Sequence, residues 1–238
     1  TGANPFTPLE VVFFDPAELP ATAELLTAVR LRRPHFLDGD LRFLFPQPGN
    51  RAVLFTVVSG DRQPRFQGEM ERQAYEIASW GKNVNVKIPV TNTKRQFSGA
   101  LIERLSKAGV QVNVTAILAL DQVRHVTEAL APQTPAIISV FAGRVADTGI
   151  DPVPLMAESV KIMKAKPKAE LIWASPRELL NIFQADAIGC HIITATNDIL
   201  KKLSLVGKDL ADYSLETVEM FYKDATAAGY KIELKKTA

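Results

Sequence analysis

Cysteine is almost absent from this chain of 238 residues. A single cysteine excludes an intrachain disulfide, and no cluster of potential ligands accompanies it that would predict a metal site. Because Cys190 follows Gly189 in an apolar run, we expect it to be a small side chain buried in the core.

An excess of one charge sign is also missing, since 28 basic residues face 26 acidic ones and leave a net charge of +2. This balance argues against a nucleic-acid partner. No apolar run reaches transmembrane length, and the first residues lack the pattern of a signal peptide. We therefore expect no membrane partner and a reduced, cytoplasmic location.

From Gln67 onward, strand-like and helix-like segments alternate regularly. This alternation predicts parallel strands joined by right-handed helical crossovers. The predicted helices are 68–80, 94–108, 120–130, 151–165, 176–184, 196–202 and 214–228, and the predicted strands are 84–90, 111–117, 136–141, 170–175 and 189–194.

Three further strand candidates lie upstream, at 9–14, 41–45 and 52–58, and a helix-like stretch at 20–31 separates the first two. Eight strands predict an α/β fold of the (β/α)8 TIM-barrel type, as one domain over residues 1–238. The alternative is an open, doubly wound sheet, which the absence of a glycine-rich phosphate loop after any strand disfavours.

Lys87 stands in the middle of the predicted strand 84–90, between β-branched residues. Because side chains alternate along a strand, Lys87 and Asn85 point away from the valine and isoleucine face. Burial lowers the pKa of a lysine, and a neutral amine can form a Schiff base with a carbonyl. The alternative is an edge-strand lysine that deters aggregation.

Neighbouring strands carry polar residues on one face as well. Asn113 and Thr115 alternate with an apolar face formed by Val112, Val114 and Ala116. Ser139 and Phe141 alternate with Ile138 and Val140 in the next strand, and Ser175 ends the one after it. Buried polar groups need partners, so three such strands beside Lys87 predict a site.

The segment Ser175-Pro176-Arg177-Glu178 allows two interpretations. The first is a helix start, with serine as the N-cap, proline in the first turn and glutamate closing a capping box. The second is an anion site made by helix N–H groups and Arg177, with Arg144 as a second guanidinium from the neighbouring strand end. Both can hold at once, and two arginines suit a sugar phosphate.

These motifs resemble the transaldolase family from about Glu69 to the C-terminus. The resemblance is carried, in order, by Val-Lys-Ile-Pro-Val-Thr (86–91), Asn-Val-Thr (113–115), Ser-Val-Phe-Ala-Gly-Arg-Val-Ala-Asp (139–147) and Ala-Ser-Pro-Arg (174–177). It implies a class I Schiff-base barrel that acts on sugar phosphates and uses no cofactor.

The resemblance also implies a role for each matched residue. Lys87 would bind the dihydroxyacetone unit covalently, and Thr115 would help to position the catalytic water. Asn113 and Ser139 would hold hydroxyl groups of that unit. The phosphate would be bound by Arg144, Ser175 and Arg177. Phe141 stands where transferases of the family carry phenylalanine and the aldolase branch carries tyrosine.

The first 66 residues depart from the family pattern. Asp15 ends the segment Val-Val-Phe-Phe and could be the aspartate that closes strand one. Asn4-Pro5 echoes the strand-two motif but precedes Asp15, in the wrong order, so both assignments cannot be right. Thr56 stands where a strand-three glutamate is expected, and Asp61 lies beyond that strand. Residues 1–66 are therefore diverged or irregular.

The sequence thus predicts transfer of a dihydroxyacetone unit between sugar phosphates. Two alternatives stay open, namely an aldolase that cleaves fructose 6-phosphate and a barrel that binds sugar phosphate with little catalysis. The second is motivated by the missing strand-three acid. A homo-oligomer is compatible with the outer helices of a barrel, and nothing in the sequence selects its size.

Overall fold

The computed structural model describes residues 10–12, 28–30, 66–229 and 231–234. In this part of the chain strands and helices alternate as the hydrophobic pattern predicts. In chain order the elements are β1 (Glu10–Val12), β2 (Ala28–Arg30), α1 (Phe66–Ser79), β3 (Val86–Pro89), α2 (Gly99–Lys107), β4 (Val112–Ile117), α3 (Leu120–Ala129), β5 (Ala136–Val140), α4 (Ala142–Ala146), α5 (Pro152–Met163), β6 (Ala169–Trp173), α6 (Leu180–Ala187), β7 (Ile192–Thr194), α7 (Asn197–Lys201) and α8 (Leu210–Ala227).

The strands form one sheet in the order β1-β2-β7-β6-β5-β4-β3. The five strands β3 to β7 pair in parallel with their sequence neighbours. The predicted α/β architecture is confirmed in these five strands and the helices between them, an arrangement consistent with an α/β barrel. Within the described residues the sheet does not close.

Alternating apolar residues explain why these segments are strands. In and beside β3, Val84, Val86, Ile88 and Val90 are all buried, as the period of two predicts. The helices cover this face with apolar stripes of helical period, for example Leu101, Ile102 and Leu105 of α2. The main core therefore lies between the sheet and its helices, and it leaves Lys87 on the other face of the sheet.

The described part of the first third differs from the prediction. The helix-like stretch 20–31 is wrong at its end, because Ala28–Arg30 is a strand that pairs antiparallel with β7. β1 lies within the predicted strand 9–14 and pairs antiparallel with β2. Local helix propensity does not reveal this strand, because its partner β7 comes much later in the chain. The predicted strands 41–45 and 52–58 lie outside the described residues.

Three predicted helix starts are also wrong, and one of them is that of the last helix, which is predicted at 214 and begins at Leu210. The helix predicted at 94 begins at Gly99, because residues 91–97 form a short hairpin closed by the pairing of Thr91 with Phe97. The Asn92 side-chain oxygen accepts hydrogen bonds from the backbone N–H groups of Lys94 (3.0 Å) and Gln96 (2.9 Å), which offers the backbone an alternative to helix. The helix predicted at 176 begins at Leu180.

The chain divides into two compact units, Thr1–Leu200 and Lys201–Ala238. The first contains the sheet. The second contains α8, which Asp209 caps by accepting hydrogen bonds from the N–H groups of Ala211 (2.8 Å) and Asp212 (3.0 Å), and no residue of α8 is buried. A single domain over 1–238 stays a prediction. None of the helices described here is long and apolar enough to cross a membrane.

Candidate active site

The predicted site residues of the first two parallel strands lie side by side. Lys87 of β3 is the ladder partner of Asn113 of β4, and Pro89 is the partner of Thr115. Paired residues of neighbouring strands are about 4.8 Å apart and point to the same face of the sheet. Lys87 is half-buried and Asn113 is fully buried, so the lysine side chain leaves the sheet beside a residue with a buried amide.

Ser139 of β5 extends this polar row to the third strand. Its hydroxyl donates a hydrogen bond of 2.7 Å to the side-chain oxygen of Asn113. Asn113 therefore has its oxygen satisfied and its amide nitrogen available. Both Asn113 Nδ2 and Thr115 Oγ1 are buried and have no hydrogen-bond partner within the described part of the chain.

Unsatisfied buried polar atoms are costly, at about 1–3 kcal/mol each, and native structures contain few of them. The two atoms without partners belong to Asn113 and Thr115, alternate residues on one face of β4, and Asn113 is paired with Lys87. A polar ligand that supplies hydrogen-bond acceptors and donors would satisfy these two atoms. The arrangement can therefore hold the hydroxyl groups of a small polar substrate next to an amine.

A β-bulge separates these residues from the end of β4. The register with β5 shifts between Val114 and Ile117, so three residues of β4 oppose two of β5. Ala116 takes up the extra position with a φ of +62°. The prediction that Ala116 shares the apolar face of Val112 and Val114 is therefore wrong, because Ile117 replaces it as the buried residue.

An apolar cluster lies next to the polar row. It contains the buried residues Ile137, Ile172, Ala174 and Ile192, and the half-buried Phe141 packs against it. The guanidinium of the exposed Arg144 lies 5.1 Å from the centre of the Phe141 ring, within cation–π range. Phe141 thus connects the apolar cluster to a positive charge at the carboxyl end of β5.

The turn after β6 has an unusual backbone. Ser175 has a φ of +59° and is not the predicted N-cap of a helix. Its N–H donates to the hydroxyl of Thr194 at 3.2 Å, and its carbonyl oxygen lies only 1.4 Å from where a Cβ on Gly143 would stand. The Gly143 N–H donates to the carbonyl of Ala174 at 3.2 Å. The start of α4 is therefore pressed against this turn.

Arg177 is held at both ends. Its backbone N–H and that of Glu178 donate to the side-chain oxygen of Asn181, at 2.8 and 3.2 Å. Its Nε donates to Asp147 at 2.9 Å, and its Nη2 donates to the other oxygen of the same carboxylate. The prediction that helix N–H groups face an anion here is wrong for these two, because Asn181 occupies both.

The same region concentrates positive charge. The hydrogen bond from Arg177 holds the pKa of the Asp147 carboxyl below its usual range, and the positive charges of Arg177 and Arg144 act in the same direction. Asp147 therefore stands within the field of both guanidinium groups. The predicted pair of arginines from neighbouring strand ends is present, and the carboxylate of Asp147 is affected by the charges of both.

Backbone strain marks the same edge of the sheet. Among the described residues other than glycine, only Arg95, Ala116 and Ser175 have positive φ. They follow or end β3, β4 and β6, whose carboxyl ends share one edge because the strands are parallel. Such conformations cost about 1–3 kcal/mol and cluster at functional sites.

The structure thus brings together most of the predicted residues. Lys87, Asn113, Thr115 and Ser139 form the polar row, and Phe141 and Arg144 follow on from β5. Ser175 and Arg177 stand at the end of β6, the next strand. Asp15, the remaining predicted residue, lies outside the described residues, as do Thr56 and Asp61.

Three positions that support the site carried no sequence signal of their own. Gly143, Asn181 and Thr194 fix the turn after β6, but a glycine, an asparagine and a threonine near strand ends are common. Their role is revealed only by their contacts in the folded chain, of Gly143 and Thr194 with Ser175 and of Asn181 with Arg177. Asp147 forms an ion pair with Arg177.

Cys190 and His191 lie away from these contacts. Cys190 is buried, and burial raises the pKa of its thiol to about 12, so it is not a nucleophile near neutral pH. His191 is half-buried and accepts a hydrogen bond of 3.0 Å from the N–H of Leu171 through Nδ1. No group of three potential metal ligands occurs in the described segments.

Comparisons with known proteins agree with this arrangement. A family model described as Transaldolase/Fructose-6-phosphate aldolase matches residues 56–236. A probable transaldolase of Dehalococcoides mccartyi is 35% identical over 147 residues, which are 61% of this chain and 64% of the relative. One of Thermoanaerobacter is 32% identical over 164 residues, or 68% of this chain and 70% of the relative.

A third probable transaldolase, of Streptococcus agalactiae, is 35% identical over 157 residues, which are 66% of this chain and 67% of the relative. The aligned part therefore spans about two thirds of the length of each relative. The family predicted from the motifs is confirmed, and the family model covers well over half of the chain. The chain belongs to the transaldolase/fructose-6-phosphate aldolase family.

Proposed function

We propose that this chain is a transaldolase, which transfers a dihydroxyacetone unit between sugar phosphates through a Schiff base on Lys87. Membership of the family supports an enzyme of the aldolase and transaldolase type. The names of the relatives support transfer rather than simple cleavage, since all three are probable transaldolases.

One observation carries the proposal. Lys87 is paired in the sheet with Asn113, whose amide nitrogen is buried and without a partner, and whose oxygen accepts from Ser139. A polyhydroxylated ketose supplies the groups that this row lacks, because each hydroxyl both donates and accepts. A purely structural lysine would not require orphaned polar atoms beside it.

The chemistry follows from the amine. Lys87 attacks the ketose carbonyl, and loss of water leaves an iminium ion. When a base removes the proton of the C4 hydroxyl, the C3–C4 bond breaks, its electrons enter the iminium to form an enamine, and an aldehyde leaves. The enamine then attacks a second aldehyde, and water releases the new ketose from Lys87.

The other residues take the proposed roles that the resemblance to the family implies, and their positions in the sheet are compatible with those roles. Asn113 and Ser139 hold hydroxyl groups of the bound unit, and Thr115 positions the water that hydrolyses the Schiff base. The phosphate is bound by Arg144, Ser175 and Arg177. Asp15 is proposed as the strand-one acid on the resemblance alone. A cytoplasmic location and a homo-oligomer also stay predictions.

Borohydride trapping tests the proposal directly. With fructose 6-phosphate, peptide mass spectrometry is expected to find a reduced adduct on Lys87, and Lys87→Met is expected to abolish both the adduct and turnover. Lys164→Met is the control, because Lys164 is an exposed lysine outside the site. Activity retained in Lys87→Met, or an adduct on another lysine, would contradict the proposal.

A second assay separates transfer from cleavage. Phe141 favours transfer, so product is expected to form from fructose 6-phosphate only when erythrose 4-phosphate is present as the acceptor. Free dihydroxyacetone released without an acceptor would instead assign the chain to the aldolase branch. An adduct with neither product would mean a sugar-phosphate-binding barrel, in which proton transfer lacks the roughly 10²–10⁴-fold contribution of general acid–base catalysis.

A further inference from the structure

Asp147 and Arg177 form a bidentate ion pair. Asp147 accepts one hydrogen bond from Nε of Arg177 and one from Nη2, with one carboxylate oxygen for each. A guanidinium has five N–H donors in a rigid plane, so three remain after this pairing. Because the plane is fixed by two bonds, the direction of these three donors is fixed as well.

Stability does not account for this pair. The two side chains are about half exposed, at 49% for Arg177 and 51% for Asp147. Exposed ion pairs contribute little to folding, because water screens the charges and two long side chains lose freedom. The backbone of Arg177 is meanwhile fixed separately by Asn181. The effect of the ion pair is therefore to fix the orientation of the guanidinium.

We propose that Asp147 is a positioning residue, which holds the guanidinium of Arg177 so that its remaining N–H groups face the phosphate of a phosphorylated sugar. This inference rests on the proposed function, in which Arg177 belongs to the phosphate site. Ordering one flexible side chain in advance strengthens binding by about threefold to tenfold. Asp147 supplies this ordering before the substrate arrives.

Asp147 also has an opposing effect, because its negative charge repels a phosphate. The two effects differ in their response to salt. Repulsion between exposed charges several ångströms apart fades when the screening length falls to about 3 Å at 1 M salt, whereas the pair of Asp147 and Arg177, which is in hydrogen-bond contact, is weakened less. Measurements at about 1 M sodium chloride therefore reduce the repulsion more than the positioning effect.

The test measures inorganic phosphate as a competitive inhibitor of the full-length enzyme at low and high salt. In Asp147→Ala, the inhibition constant of phosphate is expected to rise about threefold to tenfold at high salt. The KM for fructose 6-phosphate is expected to rise by a similar factor, while kcat and the KM for unphosphorylated dihydroxyacetone stay unchanged. Asp147→Glu, which keeps the carboxylate, is expected to recover part of the affinity.

Two further variants make the test specific. Glu103→Gln removes a carboxylate from another exposed ion pair, with Lys107 on α2, and is expected to leave phosphate inhibition unchanged. Arg177→Lys is expected to weaken phosphate binding by itself, because an ammonium cannot form the bidentate pair with Asp147 and offer further N–H groups to the phosphate. In that background Asp147→Ala is expected to add nothing, since the positioned group is gone.

An unchanged or lower inhibition constant for Asp147→Ala at high salt would overturn the inference, and so would equal losses with phosphorylated and unphosphorylated substrates. The proposed function is checked separately in the unmodified enzyme. If that enzyme forms no adduct on Lys87 and phosphate does not inhibit it, both proposals fail. If the adduct forms, phosphate inhibits and Asp147→Ala leaves the inhibition constant unchanged, only the positioning role fails.

Discussion

At the scale of single residues, Gly143 shows how the site limits the sequence. The carbonyl of Ser175 occupies the space where a side chain on Gly143 would begin, with 1.4 Å to the ideal Cβ position. The obstacle is backbone and not a flexible side chain, so it cannot turn aside. Any other residue must push the start of α4 away from the turn after β6, and Arg144 moves with it.

Gly143→Ala is therefore expected to lower the free energy of unfolding by about 1–3 kcal/mol, the usual cost of overpacking, and to raise the KM for phosphorylated substrates. Urea denaturation and steady-state kinetics measure the two effects. Ala142→Gly is a control in the same helix, without a new atom. An unchanged KM in a stably folded Gly143→Ala variant would contradict this view of the turn.

Ala116 gives a second prediction at this scale. Its φ of +62° strains an alanine, whereas glycine adopts this conformation freely. Ala116→Gly is expected to change stability by less than about 1 kcal/mol, because relief of strain offsets the greater freedom of the unfolded chain. Ala116→Val is expected to destabilise by about 1–2 kcal/mol. Equal stability of the two variants in thermal denaturation would argue against the bulge.

At the scale of elements, helix α5 starts where the sequence indicates. Pro152 lies in its first turn, and the side chain of Asp151 accepts a hydrogen bond of 2.9 Å from the N–H of Val153. Proline lacks an N–H that would be unsatisfied there, and aspartate satisfies another. The predicted start of α6, in contrast, is wrong. The side-chain oxygen of Asn181 accepts hydrogen bonds from the N–H groups that Ser175 was expected to cap.

Removal of the α5 cap is expected to cost stability without affecting the reaction. Asp151→Ala should lower the free energy of unfolding by about 1 kcal/mol, since an N–H group loses its acceptor, while Asp151→Asn should be close to neutral because asparagine caps equally well. Chemical denaturation measures both. A loss of activity in Asp151→Ala, at full folding, would show that α5 has a role beyond support.

At the scale of the whole molecule, ion pairs connect elements that are distant in sequence. Arg104 of α2 donates two hydrogen bonds of 2.9 Å to the carboxylate of Glu71 in α1. These hydrogen bonds hold the pKa of Glu71 below its ordinary value of 4.5, and the positive charge of Arg104 adds to the effect. The bridge therefore stabilises the fold wherever Glu71 is ionised.

The sign of the pH dependence follows. Because the pKa of Glu71 is lower in the folded state, its contribution is complete above pH 4.5 and is lost as the pH falls through the folded-state pKa. Glu71→Gln is expected to reduce stability by about 0.5 kcal/mol at pH 7, and the difference should vanish in acid. Urea midpoints across pH measure it, with Glu76→Gln as the control. A difference that grows in acid would contradict the assignment.

The sequence by itself determined the family, the alternation of strands and helices from Gln67 onward, and the residues of the polar row, which are Lys87, Asn113, Thr115 and Ser139. Each depends on local patterns, namely a period of two in strands, apolar stripes in helices and motifs in a set order. Such patterns are present in the chain before it folds, so they could be read without coordinates.

Only the tertiary structure decided the bulge at Ala116, the turn at Ser175, the strand at Ala28–Arg30 and the bidentate ion pair of Asp147 with Arg177. Each depends on a partner far away in the sequence, such as Gly143 for Ser175 and β7 for Ala28–Arg30. A long-range partner outweighs local propensity because packing and hydrogen bonding act on the folded surface, and that surface exists only after the chain has closed on itself.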